Sequence, residues 1–193
     1  MGTEQKRAAS ARSRLLDAAA RRFYADGVGA TGIDAITAEA GVAKMSLYNN
    51  FASKSELVLA YIGARHQEWL ELYRARLADA STSGERVLAV FDAYIDHAST
   101  AYEHGFRGCG LLNAAAEFPV GDPAREAVRG QKEQVEQILT SHLAELTDTD
   151  RARELAEHFC FLLEGAMARA GLEGDPSRLI RARSIASGMV DAL

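Results

Sequence analysis

The chain has 193 residues, 48% apolar and 25% charged, a globular balance that excludes a disordered or fibrous protein. Its longest run without Asp, Glu, Lys or Arg is nine residues, half of what a spanning helix needs, and it starts with the polar MGTEQKRAAS, so neither a membrane segment nor a secretory signal is expected. The net charge of −5 speaks against a protein coated in nucleic acid.

That average hides two signs. Residues 1–54 carry eight basic and five acidic side chains, a balance of +3; the remainder carries fourteen basic and twenty-two acidic ones, a balance of −8. Such a split fits a polyanion-binding head on a body with another task. Two cysteines, Cys109 and Cys160, point to reduced thiols and a cytoplasmic protein.

In chain order, apolar residues recur at helical spacing and no long segment alternates with period two, which predicts an all-α fold. Helices are placed at roughly 10–26, 33–40, 44–51, 54–80, 84–104, 110–117, 123–146, 150–171 and 176–191. Gly27 and Gly41 are read as left-handed residues that end the first two. Ser53 and Glu56 form a capping box at the head of the fourth. Asp122-Pro123 and Asp175-Pro176 place a capping aspartate before a proline in the first helical position.

The segment 33–51 has the length and the glycine turn of a helix-turn-helix. Ile36, Ala40, Val42 and Leu47 form its small core, and the second helix presents Lys44, Met45, Ser46, Asn49 and Asn50 outward. These side chains suit a major groove: lysine reaches guanine or phosphate, asparagine pairs with adenine, and methionine touches a thymine methyl. Tyr48 offers a hydroxyl to phosphate, and Lys54 adds its charge to the free amides heading the next helix. The arm Lys6, Arg7, Arg12 and Arg14 adds sequence-independent attraction. A plain helical corner is the competing reading of the same pattern.

The stretch from Leu15 to Ile62 resembles the N-terminal domain of the TetR (tetracycline repressor) family: AAARRFYADGV, then IDAITAEAGVAKMSLYNNF, then FASKSELVLAYI. Gly41, Tyr48, Phe51 and Lys54 match that family's turn glycine, recognition-helix tyrosine, following aromatic and phosphate-binding lysine. Gly32 and Ala43 depart from it, standing where Thr or Ser is usual. The resemblance implies a nine-helix architecture, with a DNA-binding domain over 1–54 and an effector-binding and dimerisation domain over 55–193.

It further implies a homodimer joined through the last two helices, roughly 150–171 and 176–191. The first carries an apolar stripe of Leu155, Phe159, Leu162, Leu163 and Ala166; the second mixes Leu179, Ile180, Met189 and Val190 with small Ser184, Ala186, Ser187 and Gly188. An intramolecular core is the competing reading for each of these residues.

For the effector, the helices that converge in that family offer Trp69, Tyr73, Phe91, Tyr94, Leu111, Leu112, Phe118, Phe159 and Phe161 as walls. Asn113 and Glu117, four apart on one helical face, are the polar candidates. A mostly apolar pocket fits a hydrophobic or aromatic effector; core packing and protein hydrogen bonds are the competing readings. Cys109 is read as a small buried residue before a redox sensor.

His97 and His104 lie near Asp92, Asp96 and Glu103, but a solvated polar face has the same pattern, and no HExxH or CxxC spacing occurs. No phosphate loop or nucleophile elbow is present either. Neither a metal, a cofactor nor a catalytic residue is expected. The implied function is a ligand-responsive repressor on palindromic operator DNA; the alternative is a helical small-molecule-binding protein or enzyme in which the N-terminal motif is only scaffold.

Overall fold

In the computed structural model, which describes residues 10–99 and 105–193, the chain forms α1 (Ala11–Asp26), α2 (Ile33–Ala40), α3 (Lys44–Asn50), α4 (Lys54–Ala78), α5 (Ser83–Ala98), α6 (Gly110–Ala116), α7 (Pro123–Leu143), α8 (Thr149–Glu173) and α9 (Ser177–Val190). No strand occurs among the described residues. The chain divides into two compact units, one ending at Tyr61 and one running from Ile62 to Leu193. Lys6, Arg7, Glu103 and His104 lie outside the described residues.

Local chemistry sets most helix ends. The Ser10 hydroxyl accepts the Ser13 N–H at 3.1 Å and opens α1. The Asp122 carboxylate accepts the Ala124 N–H at 2.8 Å with Pro123 in the first turn of α7, where a missing N–H costs nothing. Asp175 behaves differently: its carboxylate takes the Ser177 N–H at 2.7 Å, and Pro176 stands before α9 rather than as its first residue.

Glu56 also departs from expectation. Ser53 Oγ accepts the Glu56 N–H at 3.1 Å, but the Glu56 carboxylate reaches back to the Ala52 N–H at 2.6 Å. The full reciprocal box forms instead at Thr82 and Glu85, ahead of α5. Gly27 ends α1 at φ 92°, ψ 159°, an extended positive-φ conformation rather than the left-handed helical one expected. α5 ends at Ala98, where the Ser99 N–H bonds the Ile95 carbonyl; the remainder of the helix predicted to 104 lies outside the described residues.

The first unit is built on Leu15, Ala18, Ala19, Phe23, Ile36, Leu47, Phe51, Leu57 and Tyr61, all buried. Phe23 and Tyr61 meet edge to face at 5.4 Å, a geometry favoured by the ring quadrupoles. α1 packs on both α2 and α3.

In the second unit, α7 packs on α8, α8 on α9, and α5 on α7 and α9. One apolar cluster includes Phe91, Leu139, Leu143, Leu155, Phe159, Leu163 and Leu179. Phe91 and Phe159 meet edge to face at 5.7 Å, and Arg183 of α9 grips Asp92 of α5 with two bonds at 2.6 and 3.0 Å. α8 passes so close to the loop before α6 that a Cβ on Gly171 would stand 2.5 Å from the Gly108 nitrogen. Among the described residues, no helix is long and apolar enough to cross a membrane, and no group of three His, Cys, Asp or Glu side chains could hold a metal ion.

Candidate functional site

In the first unit the turn between α2 and α3 is made by Gly41 at φ 62°, ψ 41°, a left-handed conformation that costs a Cβ-bearing residue about 1 kcal/mol or more. Its N–H and that of Val42 return to the end of α2, Val42 bonding the Thr37 carbonyl at 3.0 Å. Thr37 is itself buried, its hydroxyl donating back to Ile33 at 3.1 Å. α3 then opens on Ala43 without a side-chain cap, and fully buried Leu47 pins it. Val42 and Ile33 are half-buried at the edge of this small core.

Pinning Leu47 inward turns the opposite face out. Lys44 and Asn49 are exposed, as are Met45 at 69% and Tyr48 at 48%. Ser46 is half-buried. Asn50 differs from expectation: it is half-buried, and its amide donates to the Ser46 carbonyl at 2.7 Å, four residues back on its own helix. Lys54 is also engaged, its ammonium donating to the Val28 carbonyl at 2.6 Å.

Three contacts escape sequence reasoning because they join distant positions. Lys44 Nζ pairs with Asp34 Oδ1 at 2.8 Å, and that hydrogen bond and charge raise the lysine above its ordinary pKa. Glu39 of α2 takes Arg21 at 2.5 Å and Arg22 of α1. Burial pushes the Glu39 carboxyl up, but the two arginine hydrogen bonds more than reverse this and hold it below the usual carboxylate range. Arg12 lies over the Phe51 ring, 4.7 Å from its centroid, a cation–π contact that ties α1 to the residue ending α3. The Lys44 pair thus joins α3 to α2, the Glu39 pairs join α2 to α1, and Arg12 joins α1 to the end of α3.

In the second unit the structure brings together most of the predicted aromatic residues. Trp69 stacks on Tyr73 at 5.6 Å and on His66 at 6.1 Å, and meets Tyr94 at 5.4 Å. All three aromatic residues are buried, as are Phe91 and Phe159. The α6 candidates do not join them. Leu112 is 39% exposed, Asn113 and Glu117 are exposed, and Asn113 donates to the Arg107 carbonyl at 3.1 Å. Leu111 and Phe118 are half-buried, and Phe161 is 68% exposed. The short α6 buries Ala114 and Ala115, which turns Leu112, Asn113 and Glu117 outward.

The polar groups beside the aromatic stack come from positions that carry no motif. Lys132 of α7 reaches the Tyr94 hydroxyl at 3.3 Å and Glu164 of α8 at 2.6 Å. His66 bonds Gln134 at 2.7 Å, and the Tyr73 hydroxyl bonds His142 at 2.7 Å. Both cysteines are unpaired and half-buried, and burial pushes the Cys160 thiol up to about 12, so it is protonated at neutral pH and a poor nucleophile.

Comparison with known proteins agrees with this geometry. The family model described as "Bacterial regulatory proteins, tetR family" matches residues 15–61, and "Tetracyclin repressor-like, C-terminal domain" matches residues 83–186. A TetR-family transcriptional regulator from Streptomyces coelicolor is 34% identical with a TM-score of 0.83, over 93% of both chains. The regulatory protein TetR from Rhodobacter sphaeroides is 27% identical with a TM-score of 0.77, over 92% of this chain and 97% of that one. The HTH-type transcriptional activator FasR of Mycolicibacterium smegmatis is 35% identical over 101 residues, 52% of this chain; the match spans only 44% of that relative's length. The chain therefore belongs to the TetR family of transcriptional regulators, all-α proteins that bind DNA through a helix-turn-helix.

Proposed function

We propose that the protein is a homodimeric repressor that reads a palindromic operator through α3 and is released by a small effector bound in its second unit. The observation that carries this reading is the division of α3: Leu47 is fully buried, while Lys44, Met45, Tyr48 and Asn49 point to solvent, a face suited to base edges and phosphates. Ser46 and Lys54 supply further contacts, and Asn50 joins them once its amide leaves Ser46. Residues 1–54 serve DNA binding, and 55–193 serve the effector and the dimer. Reading an operator places the protein with the chromosome, in the cytoplasm.

The proposed dimer seam lies on the last two helices, but on the opposite face from the stripe singled out in the sequence. Leu155, Phe159, Leu163 and Ala166 are spent on the unit's own core. The exposed side of α8 shows Phe161, Gly165, Ala168 and Leu172, spaced four, three and four apart, the repeat of a helix-packing seam. Phe161 is 68% exposed, Leu172 84% and, on α9, Ile180 53%. Apolar groups of this size gathered on one helix pair favour a partner of the same kind.

The aromatic stack of Trp69, Tyr73 and Tyr94 supports an effector with an apolar or aromatic body. The effector acts by preferring the arrangement in which the two α3 helices no longer fit successive grooves; equal affinity for both arrangements would shift nothing.

Footprinting of the DNA flanking the gene tests the reading. Protection of two half-sites about one helical turn apart supports it; no protected palindrome contradicts it. The sign of control is read from a promoter reporter. The similarity to a protein named as an activator makes increased transcription the outcome that would replace repression by activation.

A further inference from the structure

The second unit holds buried polar atoms for which the chain itself supplies no partner. The Trp69 indole N–H makes no hydrogen bond although Trp69 is only 6% exposed. The Glu164 carboxylate gives one oxygen to Lys132 at 2.6 Å, while its other oxygen, Oε2, is buried and bare. Gln131, next to Lys132 on α7, gives its amide N–H to the Ile62 carbonyl at 3.3 Å and leaves its own oxygen bare. Buried polar groups in native interiors are nearly always partnered, so the bare atoms of Trp69 and Glu164 ask what meets them.

Trp69 and Glu164 are linked through Tyr94. Its ring centroid lies 5.4 Å from that of Trp69, and its hydroxyl lies 3.3 Å from Lys132, which joins it to Glu164. Lys132 also stands 5.3 Å from the centre of the Tyr94 ring. Four helices, α4, α5, α7 and α8, thus each contribute one of the connected groups Trp69, Tyr94, Lys132 and Glu164. Burial opposes the charge on Lys132, but the Glu164 carboxylate, paired with it at 2.6 Å, offsets this and keeps the group an ammonium. The Lys132–Glu164 pair is therefore a fixed dipole beside an aromatic wall.

We infer that this cluster is the polar seat of the effector, and that the effector is a hydroxyl- or amine-bearing aromatic carbonyl compound: its carbonyl accepts from the Trp69 indole N–H, and its hydroxyl or amine donates to Glu164 Oε2. The inference rests on the reading of the second unit as effector-binding and narrows the effector from apolar to amphiphilic. A hydrocarbon of the same shape would cover both atoms and satisfy neither.

Trp69 is the only tryptophan in the chain, so its indole N–H gives a single resonance in a nitrogen-15 correlation spectrum of the full-length protein. The seat predicts that 4-hydroxyacetophenone or 4-hydroxybenzamide moves this resonance saturably. It predicts that p-cymene, a hydrocarbon with the same number of heavy atoms as 4-hydroxyacetophenone, binds at least ten-fold more weakly. Replacing the ion pair as a unit, Lys132→Met with Glu164→Leu, avoids leaving a lone buried charge. In this variant, with helicity and melting checked, the hydroxylated probes are expected to lose at least ten-fold in affinity. Equal binding of p-cymene, unchanged affinity in the double variant, or no shift with either hydroxylated probe, as when ordered water fills the cluster, would overturn the inference. DNA binding by the same sample separates the two readings. A protein that binds its operator but shows no probe shift loses only the seat; one that shows the shift but binds no duplex loses only the regulator.

Discussion

The ammonium of Lys44 lies 2.8 Å from the carboxylate of Asp34, so the first residue of the recognition helix is held by the first turn of the helix before it. Both side chains are exposed, at 56% and 81%, and an exposed pair of this kind contributes little to stability. If α3 reads DNA as proposed, its effect is on availability: Asp34 would compete with DNA for the cation and add a negative charge beside the phosphates. Asp34→Ala is therefore expected to strengthen operator binding several-fold at low salt, an advantage that shrinks as salt screens it. Fluorescence anisotropy on a labelled duplex measures this; weaker binding by Asp34→Ala would show that the contact positions Lys44 productively.

Burial pushes His97 down from 6.5 to about 4, with the positive charges of Arg65 and Lys132 acting in the same sense. The folded state thus resists protonation that the unfolded state accepts. The stability this gives is complete above about pH 6.5 and is lost as the pH falls toward 4. A shift of this size corresponds to roughly 2–3 kcal/mol across that window. Chemical denaturation at pH 7 and pH 4.5 should show the fall in wild type and a smaller fall in His97→Gln; equal slopes would contradict it.

Gly171 of α8 faces the backbone of Arg107 and Gly108 with no room for a methyl group: its added Cβ would meet the Arg107 carbonyl carbon at 2.7 Å. Backbone cannot yield as a side chain would, so Gly171→Ala is expected to cost about 1–3 kcal/mol. Gly130 of α7 has open space around its missing Cβ, and Gly130→Ala should be neutral or stabilise by up to about 1 kcal/mol. Thermal melting of the pair gives the comparison; equal melting temperatures would contradict the close approach.

A charge on the proposed seam should break it. Phe161→Asp places a carboxylate at a position 68% exposed in the single chain, so the subunit should keep its helicity while the dimer is lost. Light scattering after gel filtration should give twice the 20.8 kDa chain mass for wild type and the single mass for the variant. An unchanged mass would move the interface elsewhere.

The helical plan was legible because its punctuation is local. Asp122-Pro123 and Gly41 act within a few residues of themselves, and the helices they bound lie within a few residues of their expected positions. The outward set on α3 was legible in the same way, since burying Leu47 exposes Lys44 and Tyr48 by helical period alone. Asn50 was not, because its amide had a choice between solvent and the Ser46 carbonyl. Long-range pairing was hidden as well. Nothing local in Glu39 announces Arg21 and Arg22, and Lys132 and Glu164 look like ordinary solvated charges until the fold sets them beside Tyr94. The apolar stripe on α8 shows the limit of periodicity: it identifies Leu155 and Phe159 as one face, but not whether that face meets its own subunit or a second one.

The most direct test titrates a duplex carrying the footprinted palindrome with the full-length protein over a range of salt, for wild type, Lys44→Ala and Asn49→Ala. Two chains per duplex and affinity that falls steeply with salt are expected. Lys44→Ala should weaken binding about ten-fold or more and reduce the salt slope by about one, and Asn49→Ala should lose about 1–3 kcal/mol of discrimination at one base position. Wild-type affinity in both variants, or no salt-sensitive binding to any palindrome near the gene, would contradict the assignment of α3 as the element that reads DNA.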